Sequence, residues 1–309
     1  MAGSWRSVAA AGILVAAEAD GALFVTADAD LRAWSMGPGR EARVAAVGIA
    51  VRQVFADARG DRVVAFALFE SLDDFRETGF DQAYLRYKGR MGVWNLTAGR
   101  YVLPFGLLPS YSTNRLLVRT LEGETVGVET DNGVMSSGLA GDFDYAVSVS
   151  EGVGMHRWTD TDDDGLVTAR VGWESDDLPE LKPGVSVVWG KAVGGAHGGM
   201  AGPRMRRELA ALDLTWTAGS GVLRAEGSAG RRDGEPFQGG FAGVDFSLLG
   251  WLELNADWAV RSGWRGGPAA GVTLDVLGAK VRAAYRYPIE KEDEDEVTGQ
   301  VYYSWSRSR

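Results

Sequence analysis

Residues 252–260 have the sequence LELNADWAV. Every even-numbered residue of this stretch is apolar, and Glu253, Asn255 and Asp257 stand between them. Successive side chains of a β-strand point to opposite faces, so this strand would have one apolar face and one polar, acidic face. Such a strand fits a wall that has lipid on one side and water on the other.

The same alternation recurs along the chain, most clearly in residues 143–149, 167–173, 210–216 and 281–287. Applied to the whole sequence, it predicts an all-β fold, a transmembrane antiparallel β-barrel of about sixteen strands. The predicted strands are 23–34, 42–57, 62–71, 80–87, 92–101, 124–139, 142–150, 165–174, 184–192, 208–217, 221–230, 239–248, 251–261, 269–277, 279–287 and 296–305.

The connections between these strands support a barrel. Long links follow the odd-numbered strands, at 35–41, 72–79, 102–123, 151–164, 193–207, 231–238, 262–268 and 288–295, whereas most other links are tight turns. Long loops at one rim and short turns at the other are typical of outer-membrane barrels. All nine prolines fall between predicted strands, as expected for a residue that cannot donate a ladder hydrogen bond.

Composition limits the other possibilities. The chain has 309 residues, and we expect one barrel domain at 21–309. Residues 1–20 resemble a signal peptide, since Arg6 precedes an apolar run and the tripeptide 17–19 is Ala-Glu-Ala; an ordinary apolar segment is the alternative. The absence of cysteine excludes disulfides, and the net charge of −10 argues against a nucleic-acid partner.

The connection at 102–123 differs from an ordinary loop because it is rich in leucine and also carries Phe105 and Tyr111. Loops that lie in water are polar, so this one is expected to pack inside the barrel as a long third loop folded into the lumen. A short helix capped by Thr113 or Asn114 would place Arg115 and Arg119 on one face at i and i+4. These two arginines are therefore candidates for a pore constriction.

Residues 98–107, AGRYVLPFGL, together with the preceding QAYLRY at 82–87, resemble a segment of the phosphate-selective porin O/P group and related bacterial porins. The resemblance extends over roughly 82–152. It implies an outer-membrane diffusion channel, often a homotrimer, with an inward third loop, and it adds Arg100 as a constriction candidate. The chain departs from that group in having only 5 Lys among 32 basic residues.

Several charged residues fall at inward positions of the predicted strands. Because charges face lipid only at high cost, they require a wet lumen. The predicted lumen-wall residues are Arg32, Arg86, Glu129, Asp131, Asp213, Glu253, Asp257, Arg282 and Arg286.

One loop matches the start of a calcium-binding sequence. Asp160, Asp162 and Asp164 followed by Gly165 give D-x-D-x-D-G, a candidate calcium site. The match fails at position twelve, where Val171 stands in place of a bidentate glutamate. A solvated acidic loop is the alternative.

The leading functional prediction is a passive porin in a Gram-negative outer membrane that passes small hydrophilic solutes or ions, without catalysis or cofactor. Its expected partners are the lipid bilayer, lipopolysaccharide and the solutes. Two alternatives are a barrel that sheaths a partner, such as an electron-transfer protein, and a soluble all-β binding protein.

Overall fold

The computed structural model describes residues 21–36, 39–57, 60–72, 74–110, 125–154, 164–193, 203–262, 264–287 and 296–308. Their strands are β1 (Gly21–Met36), β2 (Gly39–Asp57), β3 (Gly60–Leu72), β4 (Glu77–Lys88), β5 (Asn95–Val102), β6 (Thr130–Ala140), β7 (Phe143–Ser150), β8 (Leu166–Trp173), β9 (Leu181–Val193), β10 (Arg204–Ala218), β11 (Gly221–Arg232), β12 (Glu235–Leu249), β13 (Leu252–Arg261), β14 (Trp264–Arg265), β15 (Ala269–Val276), β16 (Ala279–Arg286) and β17 (Glu296–Ser308). Two single 3₁₀ turns lie at Arg90–Gly92 and Leu108–Ser110. None of the helices in these ranges is long and apolar enough to cross a membrane.

The sheet closes on itself. Each strand pairs antiparallel with its neighbours along the chain, and β1 pairs with both β2 and β17. The two-residue strand β14 only extends the end of β13, which pairs mainly with β15. Sixteen of the 17 strands therefore form the wall, and the predicted antiparallel barrel is confirmed. The predicted signal peptide at residues 1–20 lies outside the described residues.

The side chains alternate across the wall as predicted. In β10 and β13 the outward residues Leu212, Trp216, Leu254 and Trp258 are 65%, 47%, 45% and 48% exposed, whereas the inward Asp213 is 4% exposed. A soluble protein rarely leaves so much contiguous apolar surface in water. The outer face is therefore suited to lipid, and exposed aromatic residues lie on it as well: Tyr87, Trp94, Trp216, Tyr287 and Trp305.

Some predicted loops are wrong because the strands run further than their apolar residues do. β1 ends at Met36 and β2 begins at Gly39, so most of the predicted loop 35–41 is strand. The same is true of 231–238, where Arg232 pairs with Glu235, and β10 takes in the last four residues of 193–207. Ladder hydrogen bonds belong to the backbone, so polar residues continue a strand beyond the lipid.

Two prolines lie within strands, contrary to the prediction. Pro183 of β9 has a partner in β10 only, because the pairing of β9 with β8 begins at Gly184. Pro236 of β12 likewise has a partner in β11 only, because the pairing with β13 begins at Gly239. Each proline occupies a stretch with one free edge, where its missing N–H group is tolerated.

Candidate functional site: the segment inside the barrel

The chain leaves the wall after β5 and enters the lumen. We call the connection 103–129 the inward segment after its two described parts, an entry arm, 103–110, and a return arm, 125–129. The Leu103 N–H group donates to the Glu129 carbonyl oxygen at 2.9 Å, so the two arms meet where they join the wall. Leu103, Phe105, Leu107 and Leu108 are at most 6% exposed. The apolar residues of the entry arm are therefore packed, as the composition of the connection predicted.

The entry arm is held by side chains that project into the lumen from β8, β9 and β11. The Gly106 N–H group donates to Ser186 Oγ of β9, and the Leu107 N–H group donates to Glu226 Oε2 of β11, both at 2.9 Å. Arg170 Nε of β8 donates to the Gly106 carbonyl oxygen at 3.1 Å. The wall thus satisfies backbone groups that would otherwise be buried without partners.

Arg170 is also the centre of a charge cluster. It donates to Asp213 at 2.7 Å and to Asp144 at 3.1 Å. The Asp213 side chain is only 1% exposed, so its charge depends on this partner. The cluster therefore couples the position of the entry arm to an ion pair within the wall.

Gly106 occupies a place that only glycine fits. Its φ of 53° lies in the left-handed region, and a Cβ atom there would stand 2.2 Å from Glu226 Oε2. The proline and glycine of the sequence PFG therefore have a structural explanation, because they turn the chain inward and bring its backbone close to the wall.

The return arm is held separately. Arg207 of β10, which is 0% exposed, donates to the Thr125 carbonyl oxygen at 2.7 Å. Gly127, with a φ of 91°, lies so close that a Cβ atom would be 2.4 Å from the Arg207 guanidinium. The arms and the wall together form one buried apolar cluster: Tyr101, Leu103, Phe105, Leu108, Val126, Val128, Met135, Leu166, Val188, Ala192, Val193, Leu209, Ala211 and Phe237.

This packing corrects the predicted strand 124–139. β6 begins only at Thr130, and Thr125–Glu129 belong to the return arm. Val126 and Val128 alternate with polar residues as they would in a strand, but both contact the lumenal cluster. Glu129, predicted on the lumen wall, is the last residue of the return arm.

The wall from β12 round to β1 carries a polar network. Asp30 accepts from Arg32 at 2.8 Å and from Gln300 at 2.7 Å, and Arg282 donates to Gln300 at 2.9 Å. The predicted lumen-wall residues Arg32 and Arg282 therefore face the interior and contact one network.

A second group of hydrogen-bonded polar side chains lies on β11, β12 and β13. Asn255 donates to Asp245 and Glu253, each at 2.7 Å, and Asp245 also pairs with Arg224. Separately, Arg286 pairs with Asp257 at 3.1 Å. The predicted Glu253, Asp257 and Arg286 are thus brought together on one side of the lumen, where acids and bases neutralise one another.

Two other residues that were predicted to face the pore, Arg100 and Asp131, form hydrogen bonds with backbone groups of neighbouring segments. Arg100 is 0% exposed and donates to the Phe80 carbonyl oxygen at 2.9 Å and to Asn132 Oδ1 at 3.1 Å. Asp131 is also 0% exposed and accepts from the N–H groups of residues 152–154. Both side chains are therefore buried among neighbouring parts of the wall, and their predicted roles in the pore stay predictions.

The remaining candidates fall partly outside the described residues. Arg115, Arg119, Asp160 and Asp162 lie there, so their predicted roles stay predictions. Asp164 is described and pairs with Lys191 at 2.9 Å. Within the ranges that the structure covers, no three His, Asp or Glu side chains are placed to hold a metal ion.

Sequence analysis missed two of the residues that hold the arms. Arg207 was assigned to a loop, although it continues the inward series of Leu209, Ala211 and Asp213 at every second position. Ser186 lies in a predicted strand but has no charge to attract notice. The alternation of inward residues, extended back from Leu209, would have identified Arg207 as an inward residue. No feature of the sequence would have identified Ser186 as one that holds the arm.

No family model and no curated protein matches this sequence. Solved structures do. OmpTΔL8, a loop L8 deletion mutant of a Vibrio cholerae outer-membrane protein, has a TM-score of 0.70 and 11% identity, covering 92% of this chain and 99% of that one. The anion-selective porin from Comamonas acidovorans has a TM-score of 0.65 and 11% identity, covering 93% and 100%.

This chain has the fold of an outer-membrane porin barrel. A trimer form of in-vitro folded Vibrio cholerae OmpT is also similar, with a TM-score of 0.68 and 12% identity, covering 92% of this chain and 99% of that chain. At such identities the likeness shows the fold alone. The porin-type barrel nevertheless agrees with the apolar outer face and the charged inner face described above.

Proposed function

We propose that this chain is a passive porin of a Gram-negative outer membrane, through which small hydrophilic solutes and ions diffuse without a catalytic step or a cofactor. The observation that carries the proposal is the polar wall from β12 to β1. The side chains of Arg32 and Asp245 there, and of Arg224 on the adjoining β11, remain 24%, 20% and 25% exposed. Charged groups inside a sixteen-stranded barrel require water, and a barrel of this size leaves room for it.

The inward segment supplies the constriction in this proposal. Its described arms pack against β8–β11, so solutes would pass between the segment and the polar wall on the other side. Arg115 and Arg119, in the middle of the segment, would face that passage and favour anions by their charge.

Planar-bilayer recordings test the proposal. The wild-type protein should give stepwise conductance in KCl, and the absence of steps from folded protein would refute the porin function. Arg115→Gln with Arg119→Gln should shift the reversal potential in a salt gradient towards cation selectivity. Arg206→Gln is the matched control, because Arg206 lies over the outward ring of Trp189 at 5.8 Å and pairs with Glu208. A double variant that matches the control would contradict the constriction role.

The resemblance to the phosphate-selective porin O/P group supports a porin but not phosphate selectivity. Arg100 is the only cation in the similar segment 98–107, and its side chain is buried. In our proposal this segment directs the chain into the lumen. The solute selectivity would come from the passage beside it.

The apolar outer face suits insertion in a bilayer, and lipopolysaccharide would contact the rim that carries the long loops. A homotrimer is part of the proposal, supported by the resemblance; mass measurement in detergent would test it. The soluble all-β alternative conflicts with the exposed outward leucines and tryptophans. The sheathing alternative is less favourable, because the inward segment occupies space that an enclosed partner would need.

A further inference from the structure

The lumenal face of β1–β4 carries aromatic rings and arginines in adjacent positions. Phe24 pairs across strands with Arg52, Arg52 with Phe66, and Phe66 with Tyr84, while Arg86 lies two residues beyond Tyr84. The intervening residues of β2 and β4 are exposed on the outside, as Val51, Leu85 and Tyr87 show. These five residues, Phe24, Arg52, Phe66, Tyr84 and Arg86, therefore face the lumen, and we call them the aromatic–arginine track.

The rings and guanidinium groups of the track are in contact. The rings of Phe66 and Tyr84 stack with centroids 5.2 Å apart and an interplanar angle of 30°. The guanidinium of Arg86 lies 5.2 Å from the Tyr84 ring centroid, and that of Arg52 lies 5.8 Å from the Phe24 centroid. Cation–π contacts of this kind orient an arginine without neutralising its charge.

The two arginines differ from four other lumenal arginines in their charge partners. Arg32, Arg170, Arg224 and Arg286 each form an ion pair with an aspartate. Arg52 and Arg86 have no carboxylate within 4.0 Å among the described residues; Arg86 donates one hydrogen bond, from Nε to Thr97 Oγ1 at 3.0 Å. Both positive charges are therefore left for a mobile anion.

Space for such an anion lies beside the track. A cavity of about 530 Å³ is lined by Tyr84 and Arg86, and further by Asn95, Tyr101 and Tyr145. Lys88 also lines it and pairs with Asp61 at 3.1 Å. The cavity thus combines the Arg86 guanidinium with aromatic and hydrogen-bonding groups, and its remaining charged lining residues, Asp144 and Arg170, pair with each other at 3.1 Å.

We infer that the aromatic–arginine track binds small organic anions with a flat apolar body, and that it selects them during passage through the channel. A guanidinium fork matches the geometry of a carboxylate, and a flat ring stacks on Phe66 and Tyr84. This inference rests on the proposed porin function and deepens it by naming a solute class. Acetate, which has the carboxylate but no flat body, should be bound less well.

Bi-ionic reversal potentials in planar bilayers test the inference, with benzoate and acetate as probes. The wild-type permeability ratio of benzoate to acetate should exceed the ratio of their mobilities in water. Arg86→Gln should lower this ratio about fivefold, because the guanidinium holds the carboxylate where the ring of benzoate, but not the methyl group of acetate, stacks on Tyr84. Tyr84→Leu should also lower it, and Tyr84→Phe should retain most of it.

Arg32→Gln is the matched control, because it removes a lumenal arginine that already has an aspartate partner. It changes overall anion permeability but should leave the benzoate-to-acetate ratio unchanged. If Arg86→Gln does not fold, Arg52→Gln provides the same comparison on the neighbouring strand. A wild-type ratio equal to the aqueous mobility ratio, or equal ratios in all variants, would overturn the inference. Loss of KCl conductance in the wild type would instead overturn the porin function itself.

Discussion

Replacing Arg170 with methionine should release the entry arm from the wall. The guanidinium holds the Gly106 carbonyl oxygen at 3.1 Å, Asp213 at 2.7 Å and Asp144 at 3.1 Å. Methionine keeps most of the side-chain volume but none of these hydrogen bonds. The buried Asp213 carboxylate and the Gly106 carbonyl would both lose a partner.

The burial of the ion pair between Arg170 and Asp213 determines how much free energy the substitution costs. Breaking a buried ion pair by removing one partner costs about 3–5 kcal/mol, and the 16% exposure of the Arg170 side chain places this case near 3 kcal/mol. If that cost falls on the anchored state of the entry arm, the ratio of anchored to detached segment falls about a hundredfold. The adjacent hydrogen bonds that the Gly106 and Leu107 N–H groups donate to Ser186 and Glu226 would remain.

Single-channel recording measures the effect. Arg170→Met should increase open-channel noise and add steps of higher conductance, because a detached segment no longer narrows the lumen. Arg286→Met is the matched control: Arg286 binds Asp257 at 3.1 Å and the Gly267 carbonyl oxygen at 2.9 Å but contacts neither described arm. Traces of Arg170→Met that match those of the wild type and of this control would refute the anchoring argument.

Two further predictions concern backbone fit and the outer face. Gly106→Ala should change the single-channel conductance, because the added Cβ atom collides with Glu226. Gly234→Ala should leave the conductance unchanged, because Gly234 also has a positive φ, 87°, but has open space around it. Equal conductances in the two variants would contradict the close-approach argument. Leu212→Lys should destabilise the folded barrel by about 2–4 kcal/mol in lipid, as measured by urea unfolding in vesicles. Leu277→Lys, in a tight turn at 99% exposure, should cost little, and a similar loss in both variants would argue against a lipid-facing Leu212.

The wall of the barrel was predictable from sequence because its signal is local. Successive side chains of a strand face opposite environments, so the sequence of residues 252–260 alone distinguishes an apolar face from a polar one. Strand ends were less predictable, since the ladder at Arg232 and Glu235 depends on backbone pairing and not on side-chain polarity.

The arrangement of the inward segment depends on distant residues. Gly106 binds Ser186, 80 positions away, and Leu107 binds Glu226, 119 positions away. No local pattern reports such contacts. For the same reason Arg100 could be recognised as a charged residue near the turn, but not as one whose guanidinium is held by the Phe80 carbonyl oxygen.

The central claim is that the interior of this barrel is wet and its exterior is in lipid. The chain has no cysteine, so single cysteines can be placed along β13 and labelled in lipid vesicles with a membrane-impermeant thiol reagent. Glu253→Cys, Asn255→Cys and Asp257→Cys should react, whereas Leu254→Cys and Trp258→Cys should be protected. Uniform labelling, or protection of the odd-numbered positions, would contradict the account.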